Sequence, residues 1–174
     1  MSARSGEAGR RSTPFLSAVV TNMVTLGIST NTRLVSIAII SQNELVEYFT
    51  HLHKAYWSPA KVNEIITSLE PCVRQYCIKK VILSIPYAYH QTKEHSRLTK
   101  ELIRFFKKKK IAIYTKSPET FRLLYKGEKK AWKQEMRRKI AERFPELHIC
   151  YRKELRNRNK YYYKLFEAVA AAIL

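Results

Sequence analysis

The sequence of 174 residues contains no aspartate, and every one of its 14 acids is glutamate. Without aspartate there is no aspartic-protease dyad, no aspartate nucleophile, no Ser-His-Asp triad and no metal site built on the short carboxylate. Cysteine is scarce: Cys72, Cys77 and Cys150 are an odd number with no CxxC pair. With Cys72 and Cys77 expected on one helix, this pattern argues against a disulfide framework and against a cysteine-held zinc. Long apolar runs are missing too, since AVAAAIL at the end of the sequence is far short of the roughly 18 to 20 residues that span a bilayer. The expectation is a soluble, intracellular, cytoplasmic protein with no membrane partner. An organelle address is the alternative if residues 1–22 are a targeting segment.

Basic residues are abundant, with 33 Lys and Arg giving a formal net charge of +19. They are unevenly placed: residues 1–78 carry 7 cations and 5 acids, whereas residues 79–174 carry 26 and 9. An excess of this size repels itself unless a polyanion offsets it, and nucleic acid is the commonest such partner. Hydrophobic residues make up 45% of the chain, enough for one domain with a real core.

Residues 1–22 are rich in Ser, Gly and Arg and end at Met23. They read as a flexible basic extension, a targeting segment or the product of an upstream start codon, and the domain is placed at 23–174. MVTLGIST and RLVSIAIIS, separated by a polar turn, predict two strands, and ELVEYFT predicts a third in an antiparallel meander. Ser58-Pro59 is a helix-start signal, with Val62, Ile65, Ile66, Leu69, Val73 and Tyr76 at helical spacing and a bend expected at Pro71. KKVILSI (79–85) and IAIYT (111–115) predict buried strands separated by a helix carrying Leu98, Leu102, Ile103 and Phe106. Ser117-Pro118 starts another helix with Phe121, Leu124 and Tyr125 inward and Gly127 as its stop. A basic helix with Trp132, Met136 and Ile140 on its stripe, a charged segment at 152–160 and a final helix, YYYKLFEAVAAAIL, complete the chain. This order predicts an α/β fold: a five-stranded mixed sheet, three strands antiparallel and then two parallel, flanked by helices.

At these residues the chain resembles the RNase H-like superfamily in its RuvC and YqgF branch. The segment Leu26-Gly27-Ile28-Ser29-Thr30-Asn31-Thr32-Arg33 is similar to the family's first strand and turn, VILSIP (81–86) to a later strand, IAIYTKSPET to the next, and Leu165 to Ala172 to its last helix. The resemblance implies a metal-dependent nuclease fold acting on Holliday junctions or precursor ribosomal RNA, and it places the family's carboxylates at Ser29, Ser84, Lys116 and Glu167. Of these only Glu167 is acidic. Two-metal cleavage needs several carboxylates converging on two divalent cations, so the resemblance implies a degenerate site with no cofactor, or Mg²⁺ if the protein is nonetheless a nuclease. Acids brought from elsewhere, Glu44, Glu47, Glu94 or Glu119, form no evident site; strand alternation puts Glu44 and Glu47 on opposite faces.

The basic second half supplies the candidate nucleic-acid contacts. Lys129, Lys130, Lys133, Arg137 and Arg138 cover the polar face of one helix, a surface suited to tracking phosphates. Arg152, Lys153, Arg156, Arg158 and Lys160 interleave with Tyr161 and its neighbours, which suits backbone neutralisation with base stacking. Arg33, Lys116 and the run Lys107, Lys108, Lys109 and Lys110 are added, although cations also suit the end of a helix. His51/His53 and His90/His95 lack Cys or Asp partners and read first as core or surface residues. Expected, then, is a nucleic-acid-binding protein for structured RNA or branched DNA. An active nuclease and a protein-interaction subunit of a ribonucleoprotein are the alternatives, and a homodimer is compatible with each. Phosphate contacts do not distinguish DNA from RNA.

Overall fold

The computed structural model describes residues 23–126, 131–156 and 161–174. The basic extension 1–22, the helix stop at Gly127, and Lys129, Lys130, Arg158 and Lys160 lie outside the described residues. Five strands form one sheet: β1 (Thr25–Thr30), β2 (Leu34–Ser41), β3 (Glu44–Leu52), β4 (Lys80–Ser84) and β5 (Ala112–Lys116). Their order is β3-β2-β1-β4-β5. The first three strands are antiparallel to one another, while β4 runs parallel to β1 and β5 parallel to β4. This is the mixed sheet the sequence predicts, except that β5, expected to be buried, is an edge strand and largely exposed.

Local chemistry accounts for the turns. Asn31 closes the β1–β2 connection by accepting from the backbone N–H groups of Arg33 at 2.7 Å and Leu34 at 2.6 Å. Gln42 and Asn43, at φ 52° and 67°, turn the chain between β2 and β3 in the left-handed conformation that such two-residue hairpins require. A register shift at Ile39/Ile40 interrupts the pairing of β2 with β3. As a result Leu45 and Tyr48, three residues apart, pack on the same side. The strict alternation expected for Glu44 and Glu47 therefore fails.

Two helical layers cover the sheet. On one face lie α1 (Pro59–Gln75) and α2 (Lys93–Lys108), whose Ile65, Leu69, Leu98, Leu102 and Phe106 bury against Leu26, Ile28, Ile37, Val81 and Leu83. Each such side chain contributes roughly 1.5 to 3 kcal/mol by leaving water. Ser58 caps α1 through the N–H of Lys61 at 3.1 Å, and the helix continues through Pro71 without a break. The other face is covered by α3 (Pro118–Tyr125), α4 (Trp132–Arg143) and α6 (Tyr163–Ile173), with α5 (His148–Arg156) outside them. Trp132, Met136 and Ile140 are buried as their spacing predicts. Leu124, expected inward, is 53% exposed, because α3 turns only Pro118 and Phe121 fully into the core. The segment expected to be a charged connection is helical from His148 to Arg156.

Helix α6 sits directly on β1. Of the few glycines in the chain, Gly27 occupies the crossing, where an added Cβ would lie 1.9 Å from the Ala168 carbonyl oxygen. Its lack of a side chain lets the two backbones approach and sets the depth of α6, and hence of Glu167, over the sheet.

Candidate functional site

The sheet register brings a row of polar residues into line. Thr50 pairs with Ser36, Ser36 with Ser29, Ser29 with Ser84 and Ser84 with Lys116, so one residue from each of the five strands stands in a single row. The row lies on the α6 face, because Gly27 and Ala38, two residues away on β1 and β2, meet that helix. Ser29, Ser36 and Ser84 are buried. Thus the structure brings Ser29, Ser84 and Lys116 together in adjacent strand positions, and α6 lays Glu167 on the first of them.

Glu167 is 5% exposed and its Oε2 accepts two hydrogen bonds, from the Ser29 hydroxyl at 2.6 Å and from the Lys164 ammonium at 2.7 Å. Lys164 precedes Glu167 by three residues on α6 and so reaches it along one helix face. The Ser36 and Thr50 hydroxyls are 2.8 Å apart. Tyr163, the neighbour of Lys164, has its hydroxyl shut away without a hydrogen-bond partner. Burial, and then the charge of Glu167, push that phenol well above its usual range. Three cations flank its ring, Lys133 at 5.1 Å, Arg137 at 5.8 Å and Lys164 at 6.0 Å.

A divalent-metal centre is a poor match for this donor set. Ser29 and Ser84 offer neutral hydroxyls, Lys116 a cation, and the one carboxylate already holds an ammonium ion. Neutralising a buried carboxylate with a lysine satisfies locally the charge that metal ions supply in a two-metal site. The arrangement is instead a buried carboxylate paired with an ammonium and a hydroxyl.

His95 of α2 supports the same corner from the opposite side of β1. Its Nε2 lies 3.1 Å from both the hydroxyl and the carbonyl oxygen of Thr30, and its Nδ1 is buried without a partner. Burial lowers its pKa, the backbone bond to Thr30 opposes this, and Lys164 lowers it further. A histidine whose folded pKa is depressed contributes stability above its unfolded value of about 6.5, and that stability is lost as pH falls toward the folded value. Denaturant midpoints are therefore expected to fall below pH 6.5, and His95→Gln should flatten that part of the profile.

The predicted cations separate into groups. Arg33, Leu34, Leu52 and Tyr161 line a cleft of about 460 Å³, and Lys153, Arg156, Tyr161 and Tyr162 line an adjoining one of about 510 Å³. Tyr161 is common to both, and its hydroxyl donates to the carbonyl oxygen of Thr50 at 3.3 Å, which ties the clefts to the polar row. Arg137 is instead a brace: it pairs at 2.8 Å with the buried Glu154, which also accepts from the Tyr162 N–H at 3.2 Å. Arg138 is held by Glu135 and Glu142 on its own helix. Lys133 stacks on Trp132 and Tyr163, and Arg152 lines a separate hollow beside Arg138. Lys107, Lys108, Lys109 and Lys110 lie just before β5 begins, whereas Lys116 ends it, so this run sits at the other end of the sheet. Lys109 also pairs with Glu70 at 3.4 Å. The polar face expected to be continuous is therefore partly neutralised by its own glutamates.

Comparison with solved structures gives the same architecture. RuvC of Thermus thermophilus in complex with a Holliday junction substrate superposes with a TM-score of 0.66 at 13% identity, covering 87% of this chain and 90% of that one. The fold is that of RuvC. A second Thermus thermophilus RuvC structure matches with a TM-score of 0.65 at 14% identity over 87% of this chain and 92% of that one. Fowlpox virus resolvase in complex with Holliday junction DNA matches at 0.57 and 15% identity, covering 87% and 95%. No family model matches the sequence, and no curated protein matches it. The mixed RNase H-like sheet with flanking helices is thus shared, while the residues on it are largely this chain's own.

Sequence reasoning missed Ser36, Thr50 and Lys164; His95, read there as a core or surface residue, is buried, and its contact with Thr30 was not foreseen. Only Lys164 left a readable signal, its spacing of three from Glu167; the others depend on strand register and helix placement.

Proposed function

We propose that this protein binds structured or branched nucleic acid on a RuvC-type scaffold, without cleaving it. The observation that carries this reading is the Ser29–Glu167–Lys164 cluster, in which the one carboxylate among the family-equivalent positions is already satisfied by a lysine and a serine. The clefts formed by Arg33, Lys153, Arg156 and Tyr161 support it: cations there neutralise phosphates and an aromatic ring offers a stacking surface. Lys116 at the end of the row adds positive charge where a backbone phosphate could approach. A nucleic-acid ligand accords with the junction complexes of the RuvC and fowlpox proteins.

Binding of this kind releases counterions, so affinity falls steeply with salt. With four or five phosphate contacts, association constants for a labelled four-way junction or structured RNA should drop roughly 10²- to 10³-fold between 50 and 200 mM salt. The double substitution Arg33→Ala/Arg156→Ala should reduce the slope. An affinity independent of salt contradicts the reading.

A further inference from the structure

A second cluster lies on the opposite face of the sheet. His51 and His53 stand at the end of β3 and Glu64 in α1, and one donor atom from each lies within 4.8 Å of the other two. His51 pairs with Val35, whose side chain joins the α1 layer, so this cluster is separated from Glu167 by the sheet itself. The His53 backbone N–H donates to the Arg33 carbonyl oxygen at 2.8 Å. This bond fixes the residue just beyond the strand and turns its ring inward, where the side chain is 1% exposed.

We infer that His51, His53 and Glu64 form a binding site for a borderline divalent metal ion of the Zn²⁺ class. The geometry is close to what such an ion requires. Ligand atoms at about 2.0 to 2.1 Å in a tetrahedron lie roughly 3.3 Å from each other, and His53 Nδ1 is already 2.9 Å from Glu64 Oε1. His51 is exposed and the Glu64 side chain is 55% exposed, so both can close on an ion by changing rotamer. The other ring nitrogen of His53, Nε2, is buried without a hydrogen-bond partner, so the ring's polar contact is on the Nδ1 side, facing Glu64.

The donor types select the ion. Two imidazoles and one carboxylate suit Zn²⁺, Co²⁺ or Ni²⁺ and suit Mg²⁺ or Ca²⁺ poorly. Arg33 and Lys61 add positive charge at this corner; the Lys61 ammonium donates to the Ala55 carbonyl oxygen at 2.6 Å, and burial, then Arg33, lower its pKa. Such surroundings disfavour a cation held by charge alone, so binding here depends on the two imidazole donors. Three protein ligands leave a fourth position open, and the bound ion ties β3 to α1.

The test is titration of the full chain with Co²⁺ and Zn²⁺. One equivalent of Co²⁺ should produce the visible absorption bands of a four- or five-coordinate ion, Zn²⁺ should displace it, and the thermal midpoint should rise with Zn²⁺ concentration. His51→Ala and Glu64→Gln, both at exposed positions that leave the core intact, should each weaken binding at least tenfold, whereas Glu101→Gln on α2 should not. Absence of the Co²⁺ bands at micromolar metal, or binding that survives both substitutions, overturns the assignment.

Discussion

Gly27→Ala should cost about 4 kcal/mol or more, lowering the thermal midpoint by roughly 8 to 16 °C for a chain of this size. The added methyl would lie 1.9 Å from the carbonyl oxygen of Ala168, 2.6 Å from the backbone nitrogen of Ala172 and 2.9 Å from the Ala172 Cβ. Two of these three atoms are backbone, so no rotamer change relieves the overlap. The helix has to withdraw from β1, and it fills the α6 side of the core with Leu165, Phe166, Val169 and its alanines. For the same reason Ala172→Gly should rescue little, since it removes only the Cβ contact. The loss also reaches the site, because Glu167 meets Ser29 only while α6 lies at this depth. Chemical denaturation of the single and double variants decides the matter: a Gly27→Ala midpoint within error of wild type would mean that the helix does not cross the strand there.

The second large effect is expected at Ser29. Ser29→Asp places a second carboxylate against Glu167, where a hydroxyl now donates at 2.6 Å. Lys164 supplies one positive charge for two negative ones. Like charges this close raise one of the two pKa values by about two to three units, which at 1.36 kcal/mol per unit is roughly 3 to 4 kcal/mol at neutral pH. The sign follows from linkage. A carboxyl whose folded pKa lies above its unfolded value of about 4 carries no penalty below that value. Its penalty grows as pH rises toward the folded pKa and is constant beyond it. The variant should therefore match wild type near pH 4 and fall behind by pH 7. Mg²⁺ or Mn²⁺ should restore part of the deficit in the variant and leave wild type unchanged, because only the variant offers two convergent carboxylates. A variant as stable as wild type at pH 7 without metal would show that Ser29 and Glu167 do not share one buried site.

Much of the scaffold is legible in the sequence because apolar spacing reports it. Leu98, Leu102 and Phe106 mark α2, Ser58-Pro59 marks the start of α1, and the apolar run Val81, Ile82 and Leu83 of β4 marks a strand covered on both faces. What periodicity does not report is harder to read. Helix α5 buries only Glu154, a charged residue held by Arg137, so its inward face looks polar in sequence. Leu124 has the right spacing to be core, yet the short α3 turns it to solvent. The bulge opposite Ile39/Ile40 reverses the expected alternation along β3.

The candidate site divides in the same way. Ser29, Ser84, Lys116 and Glu167 can be placed from the resemblance alone, and the sheet sets the first three in one register row with Glu167 hydrogen-bonded to Ser29. The rest of the row, Ser36 and Thr50, depends on strand pairing that no local pattern encodes. The basic surface is the part the sequence overstates. A count of cations along α4 includes Arg137 and Arg138, whose charges are already met by Glu154, Glu135 and Glu142. The cations that line clefts beside the row, Arg33, Lys153 and Arg156, come from distant parts of the chain and meet only when the fold is complete.

The most direct test of the proposed binding without cleavage is a single incubation. A labelled four-way junction, and in parallel a structured RNA, is mixed with saturating protein in Mg²⁺ and then in Mn²⁺, and both complex and strand length are read. The account predicts a retarded complex whose strands are recovered intact. Strands cleaved by wild type and spared by Glu167→Gln would contradict it.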